Sequence, residues 1–242
     1  MFDIKIANIH IRIDNAYPYV FHLCRGYIVE SDEEPELLVR VSEEAIAKEI
    51  AIADHSVTKE YAEAVCIYRQ ICRQLPERFQ SFLMHSAVIE YEGEGYAFAA
   101  HSGTGKSTHI ALWRKHFGEA VHIVNGDKPI LRFIDGRLYA FGTPWCGKEG
   151  WQSNTGVPLK AICFLERAEA NAIRLMEPKE AIGRIFHQLL SPEDLNTVNA
   201  LFPLLDRMLR EVPCYLLGCN ISEEAAEVAY RGMNHEPKTT KG

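Results

Sequence analysis

The chain of 242 residues has no long uninterrupted apolar run. Its N-terminus, MFDIKIANIHIRID, alternates polar and apolar residues where a signal peptide would have a continuous apolar core. A transmembrane helix needs about 20 predominantly apolar residues in succession. The sequence therefore predicts neither a signal peptide nor a membrane span, and we expect no membrane partner.

An excess of positive charge is also absent. The 26 lysines and arginines are outnumbered by 33 aspartates and glutamates, which gives a formal net charge of −7. Nucleic-acid backbones are bound mainly by clustered lysine and arginine side chains. The composition therefore argues against a nucleic-acid partner.

The cysteines form no recognisable pattern. There are seven of them, an odd number, and no two have C-x-x-C spacing. A disulfide framework or a zinc site would show paired spacings. We therefore expect reduced thiols and a cytoplasmic protein.

Alternating apolar residues mark several strands. The isoleucines of residues 2–13 follow period two with one slip, which predicts a single strand with a bulge. The segments GYIVES at 26–31 and ELLVRVS at 36–42 predict two further strands. The segment MHSAVIEY predicts another strand, which begins at Met84.

The stretch from Phe98 to Trp113 reads FAAHSGTGKSTHIALW. It matches the phosphate-binding pattern G-x-x-x-x-G-K-[ST] except at the first position, which is Ala100. It also lies between a predicted strand and a predicted helix, as such a loop requires. Ala100 costs little at this position provided that its φ is negative.

Each residue type in this stretch suits a triphosphate. Glycines let successive backbone N–H groups turn inward around the phosphates, and the N-terminus of the following helix adds positive charge. The Lys106 ammonium is expected to contact phosphate oxygens, and the Ser107 hydroxyl is expected to bind Mg²⁺. We therefore predict a site for ATP or another nucleoside triphosphate with Mg²⁺. Its residues are Ser102, Gly103, Thr104, Gly105, Lys106, Ser107 and Thr108.

A candidate acid follows the next predicted strand, AVHIVN, in the sequence Asn125-Gly126-Asp127. A carboxylate at the C-terminal end of that strand can hold Mg²⁺ or accept the proton of an attacking hydroxyl. We therefore predict Asp127 as a catalytic residue and as a metal ligand together with Ser107. The alternative is an ordinary turn aspartate, because Asn-Gly-Asp is also typical of turns.

These residues resemble a known superfamily. SGTGKS, preceded by a hairpin that begins with His85 and followed by a strand ending in Gly-Asp, resembles HPr kinase/phosphorylase and ATP-dependent phosphoenolpyruvate carboxykinase. The resemblance covers residues 80–165. It implies an α/β fold with a P-loop core and a mixed sheet. It also implies that His85 assists the catalytic acid or base, although a half-buried strand histidine is the alternative.

The chain departs from that superfamily at two points. Lys128 stands where the resemblance would place a second acid after Asp127, which puts a two-acid metal site in doubt. A counterpart of the second kinase/phosphorylase signature, E-I-R-G-L-G, is absent, and the chain is short for a carboxykinase. Carboxykinase-like chemistry is therefore the less favoured alternative.

The segment from Gly142 to Gly156 is long for a simple connection and is rich in glycine and aromatic residues. It resembles the G-[ST]-P-x-x-G-K stretch of small HPr-kinase-like proteins. The resemblance implies that Lys148 offsets charge in the transition state. Trp145 and Trp151 are expected to stack on or shield a substrate.

Together these features predict a small N-terminal β/α module at residues 1–80, a nucleotide-binding catalytic core at 81–234 and a disordered polar tail at 235–242. The predicted function is an ATP- and Mg-dependent kinase that phosphorylates a hydroxyl. The acceptor is expected to be serine-like, on a peptide, a protein or a small molecule. The alternative from another class is a nucleotide-binding accessory or regulatory protein without catalysis.

Overall fold

The computed structural model describes residues 1–101, 103–190 and 194–234. Ser102 and the tail at 235–242 lie outside this part of the chain, so the predictions for them stay predictions. The strands are β1 (Phe2–Ile6), β2 (Ile9–Asp14), β3 (Leu37–Arg40), β4 (Ser81–Leu83), β5 (Ala87–Tyr91), β6 (Glu94–Ala99), β7 (His122–Asn125), β8 (Ile130–Ile134), β9 (Arg137–Phe141), β10 (Gly156–Arg167), β11 (Ala172–Leu175) and β12 (Cys214–Cys219). The helices are α1 (Pro18–Leu23), α2 (Glu43–Ile52), α3 (Lys59–Phe79), α4 (Lys106–Phe117), α5 (Pro178–Phe186), α6 (Leu195–Glu211) and α7 (Glu224–Asn234).

The N-terminal segment is a hairpin and not the single bulged strand that we predicted. β1 and β2 pair antiparallel, and the two residues between them, Ala7 and Asn8, both have positive φ. A two-residue turn of this kind matches the twist of the flanking strands. The slip in the isoleucine period therefore marks the turn.

The strand predicted at residues 26–31 is also absent from the structure. Arg25–Tyr27 form a 3₁₀ turn after α1, and Tyr27 is buried in the N-terminal core. Only Ile28 pairs with β1, through a single bridge to Ile4. The third strand of this small sheet is instead β3, which lies parallel to β2.

The nine-stranded sheet is mixed, and its strand directions gather several loops at one edge. β6 and β12 both pair parallel with the long strand β10. β5 is antiparallel to β6, and β7 is antiparallel to β5, so β7 runs parallel to β6. The carboxyl ends of β6, β7, β10 and β12 therefore lie at the same edge as the start of β5.

Helix α4 is fixed against this sheet by aromatic packing. Trp113 is fully buried and contacts the rings of Tyr96 and Phe98. Burial of such large apolar side chains is the main favourable term that holds a helix on a sheet. This packing fixes the start of α4 at the edge where β6 ends.

The N-terminal elements pack against the larger sheet through α3. Its buried face shares one hydrophobic cluster with Leu83, Ile130 and Phe141, which belong to or adjoin strands β4, β8 and β9. The same cluster includes Tyr68, with Trp145 packed against it. The middle of α3 therefore lies beside the segment that follows β9. No helix in the described ranges is long and apolar enough to cross a membrane.

Candidate active site

The predicted phosphate loop connects β6, which ends at Ala99, to α4, which begins at Lys106. Gly103 and Gly105 have φ of 76° and 129°, which residues with a side chain rarely adopt. Among the described residues with positive φ, the non-glycine ones are Ala7, Asn8, Gln80, Glu92 and Asp135. Ala100 therefore lacks the strained conformation that would require glycine, so its presence does not disturb the loop.

The start of α4 offers hydrogen-bond donors. Its N-cap residue is Gly105, which has no side chain to satisfy the first backbone N–H groups of the helix. Lys106 is the first helical residue, and its Nζ donates to the Ala100 carbonyl at 3.2 Å. Burial lowers the pKa of Lys106, and the charge of Asp127 opposes this effect. Ser107 is partly buried in the same first turn.

Arg167, at the end of β10, holds the loop from the neighbouring strand. Its Nη2 donates to the Gly103 carbonyl at 2.7 Å, and its Nε donates to the Thr104 carbonyl at 3.4 Å. In a trans peptide the N–H points away from the C=O. The N–H groups of Thr104 and Gly105 therefore point away from Arg167. Nothing in the local sequence around Arg167 indicates this role.

We expect Arg167→Gln to weaken nucleotide binding about tenfold, because hydrogen bonds from a charged donor to the loop carbonyls are lost. Isothermal titration calorimetry with a non-hydrolysable ATP analogue and Mg²⁺ measures this. Arg174→Gln is the matched control, since Arg174 pairs with Glu180 on the exposed surface of β11. Equal affinities for the two variants would contradict this role of Arg167.

His85 and Asp127 meet at the same edge of the sheet. His85 Nε2 lies 2.9 Å from Asp127 Oδ1, and the backbone N–H of Ser86 donates to the Asp127 carbonyl at 3.0 Å. His85 is not on a strand as we predicted, since it lies between β4 and β5. Its own N–H donates to the Gln188 carbonyl at 2.7 Å, so a loop and not a strand pairs with this backbone.

The Asp127 carboxylate is shared by two donors. His85 contacts one oxygen, and the Lys128 ammonium contacts the other. Burial alone would raise the pKa of Asp127, but the hydrogen bonds and charges of His85 and Lys128 outweigh it and hold the pKa well below its usual range. The residue that departs from the superfamily pattern, Lys128, is therefore a direct partner of the predicted catalytic acid.

Asn125 positions the segment that carries Asp127. Its Oδ1 accepts from the N–H groups of Asp127 and Lys128 at 2.9 and 2.7 Å, and its Nδ2 donates to the Thr143 carbonyl at 2.9 Å. The Asn125 side chain is fully buried. Its only sign in the sequence is the turn-like Asn-Gly-Asp, which does not reveal the contact with Thr143.

We expect Asn125→Ala to lower the free energy of unfolding by about 2 kcal/mol, because it leaves two partly buried N–H groups without their acceptor. Urea denaturation followed by circular dichroism measures this. Asn196→Ala, on the exposed surface of α6, should change the stability by less than about 0.5 kcal/mol. A similar small change for Asn125→Ala would contradict the positioning role.

The segment from Gly142 to Gly156 packs against the Asp127 turn. The Gly126 N–H donates to the Trp151 carbonyl at 2.9 Å. The two tryptophans of this segment, however, lie in different surroundings. Trp145 lines a cavity with Asp127, whereas the Trp151 side chain packs against the hydrophobic cluster around Trp113. The shielding role predicted for Trp151 is therefore not supported by its position.

Two cavities meet at this edge. The larger one, which we call the Asp127 cavity, has a volume of about 780 Å³ and is lined by His85, Asp127, Lys128 and Lys148. The second, which we call the loop cavity, has a volume of about 500 Å³. It is lined by Ala100, His101, Gly103, Thr104 and Arg167. Both cavities are also lined by His187 and Gln188, so they adjoin.

Of the predicted site residues, the Asp127 cavity thus unites His85, Asp127 and Lys148, and the loop cavity includes Gly103 and Thr104. Gly105, Lys106, Ser107 and Thr108 form the end of the loop and the first turn of α4. Within the described residues, no group of three or more histidine, cysteine, aspartate or glutamate side chains is arranged as a metal site.

The fold and this edge define a mixed α/β protein with a glycine-rich strand-to-helix loop beside a His–Asp pair. The chain belongs to the family described as "SynChlorMet cassette protein ScmC", whose sequence model matches residues 54–229. No curated protein matches the chain. A distant structural similarity links it to the Hpr(Ser) kinase/phosphatase from Coxiella burnetii. The TM-score is 0.36 and the identity 9%, over 62% of this chain and 94% of that one.

Proposed function

We propose that the protein is an ATP- and Mg-dependent kinase that transfers the γ-phosphate to a hydroxyl acceptor. The observation that carries this proposal is the position of Asp127. Its carboxylate, held by His85, lines a cavity that adjoins the glycine-rich loop. In-line phosphoryl transfer requires a loop that binds the phosphoryl donor and, close to it, a base that takes the proton of the acceptor hydroxyl.

The loop supports binding of ATP or another nucleoside triphosphate. Its glycine conformations and the uncapped N–H groups of α4 suit phosphate oxygens, and Lys106 adds a positive charge. Mg²⁺ is usually held by one or two protein side chains plus the phosphates. Ser107 and Asp127 are the residues that we assign to it. When bound, the ion would offset charge on the phosphate oxygens.

The transfer step needs few protein groups. The acceptor hydroxyl oxygen forms a bond to the γ-phosphorus, and the bond from that phosphorus to the bridging oxygen breaks. The nucleoside diphosphate is the leaving group. The hydroxyl proton passes to the Asp127 carboxylate, which His85 orients. The low pKa of Asp127 makes it a weak base. Because the transition state is loose, position matters more than basicity, and Lys106 and Lys148 offset the spreading charge.

One observation favours a second candidate, a nucleotide-binding protein without catalysis. The Lys128 ammonium contacts the Asp127 oxygen that His85 leaves free. A carboxylate whose two oxygens already contact donor groups is a poor acceptor for a proton or for Mg²⁺. If this pairing persists with nucleotide bound, the protein would bind ATP without hydrolysing it or transferring its phosphate.

Incubation with γ-labelled ATP and Mg²⁺ separates the two candidates. The kinase is expected to transfer label to a hydroxyl acceptor, and to hydrolyse ATP slowly when no acceptor is added. A variant without the Lys106 ammonium should do neither. Tight ATP binding by the wild type without hydrolysis or transfer to any hydroxyl would support the accessory role and overturn the kinase proposal.

A further inference from the structure

We infer that the acceptor is a peptide whose serine or threonine stands next to an aromatic or large aliphatic side chain, which binds a wall of the Asp127 cavity built by α1, α3 and Trp145. This inference rests on the proposed function, since it names the substrate of the same site. Five aromatic or aliphatic residues, which we call the aromatic wall, carry it. They are Tyr19, Leu23, Tyr61, Tyr68 and Trp145.

The aromatic wall belongs to the same cavity as the catalytic groups. The rings of Tyr68 and Trp145 pack at 5.3 Å between centroids, and those of Tyr19 and Tyr61 at 6.3 Å. Tyr19 and Tyr61 keep 38% and 47% of their surface exposed. Apolar surface that lines a concave site is typically covered by a ligand.

Among the described residues, each lysine or arginine that lines this cavity already has a partner or a role in the proposed transfer. Arg69 donates to Glu49 at 2.5 Å, and Lys128 contacts Asp127. Lys148 forms no ion pair within the described residues, and the proposed transfer step uses it for the phosphoryl group. An acidic side chain beside the acceptor hydroxyl would therefore lose its hydration without gaining a partner.

The size of the cavity indicates more than a free amino acid. Sites of about 300–1,000 Å³ hold ligands of drug size, and this one has about 780 Å³. Free serine would reach Asp127 and leave the aromatic wall uncovered. Two lining residues, Trp145 and Gln188, also have a buried polar atom without a partner among the described residues. Such atoms are usually satisfied by a ligand or by water.

The step itself is the transfer proposed above. The peptide Oγ–phosphorus bond forms as the bond from the γ-phosphorus to the bridging oxygen breaks, and the Oγ proton passes to Asp127. The neighbouring side chain of the peptide takes no part in this chemistry. It holds the hydroxyl in place, so its effect is expected in the affinity for the peptide and in kcat/KM.

Four blocked tetrapeptides, Gly-X-Ser-Gly with Trp, Leu, Gly or Asp at X, test the inference beside free serine. Label transfer from ATP gives kcat/KM, and calorimetry gives the affinity of each peptide with ADP and Mg²⁺ present. We expect kcat/KM for the Trp peptide to exceed that for the Gly peptide about tenfold, with the Leu peptide between them and the Asp peptide last.

Tyr61→Ala should reduce this preference to about twofold and leave the affinity for ATP unchanged, whereas Tyr61→Phe should keep it. Phe202→Ala is the control, because Phe202 is a similarly exposed aromatic residue on α6. Equal use of all peptides, or a preference for the Asp peptide, would overturn the inference. If the wild type phosphorylates nothing, the kinase proposal fails. The peptide affinities then decide the inference separately, and it is overturned if the Trp peptide binds no more tightly than the Gly peptide.

Discussion

Asp127→Asn is expected to reduce phosphoryl transfer by about 10²–10⁴-fold and to leave the affinity for nucleotide within about threefold. The amide has the size of the carboxylate, but it accepts no proton from the acceptor hydroxyl and attracts Mg²⁺ weakly. The backbone bonds that Asn125 accepts are unaffected, because they come from the N–H groups of residues 127 and 128. Single-turnover transfer measures the chemical step, and titration with an ATP analogue measures binding.

Asp135→Asn is the matched control for this variant. Asp135 lies in the turn between β8 and β9 with a φ of 47°, a conformation that asparagine accepts as readily. The Asp135→Asn variant should transfer phosphate at the wild-type rate. Transfer at that rate by Asp127→Asn would contradict its assignment as the acceptor base.

The substitution Asp127→Asn is also expected to have a pH-dependent effect on stability. The pKa of folded Asp127 lies below its unfolded value, so the ionised carboxylate stabilises the fold above about pH 4. This contribution is lost as the pH falls through the lowered folded pKa. The stability difference between wild type and Asp127→Asn should therefore shrink as the pH falls below about 4. Urea denaturation at several pH values measures it.

The parts of the site that local spacing determines could be predicted from the sequence. The glycines, Lys106 and the flanking strand and helix lie in one short segment, and the strand-to-helix change follows from the apolar pattern. Its two glycines adopt the positive φ that the prediction requires. The hairpin at Ala7-Asn8 was missed because neither residue is glycine, the usual sign of such a turn.

The parts that depend on strand order could not be predicted in this way. Arg167 acts on the loop because β10 lies beside β6, and a single arginine at the end of a strand gives no sign of that pairing. His85 does not lie on the predicted strand, because its backbone N–H donates to the carbonyl of Gln188, which is far away in the sequence. The aromatic wall requires α3 to pack beside Trp145, which only the tertiary structure determines.

Lys106→Ala is expected to raise the Kd for ATP at least tenfold and to reduce turnover by about 10²–10³-fold. In the loop its ammonium lies against the Ala100 carbonyl, at the start of α4, where phosphate oxygens would replace that single contact. Alanine is the best helix former and adds no bulk at this position, so the fold should persist, with an unfolding temperature close to that of the wild type.

The control for the loss of one positive charge is Lys160→Ala, because Lys160 is exposed on β10. Calorimetry with ATP and Mg²⁺ together with label transfer measures both effects. If Lys106→Ala binds and turns over ATP like the Lys160 control, the glycine-rich loop is not a phosphate site, and the kinase proposal fails with it.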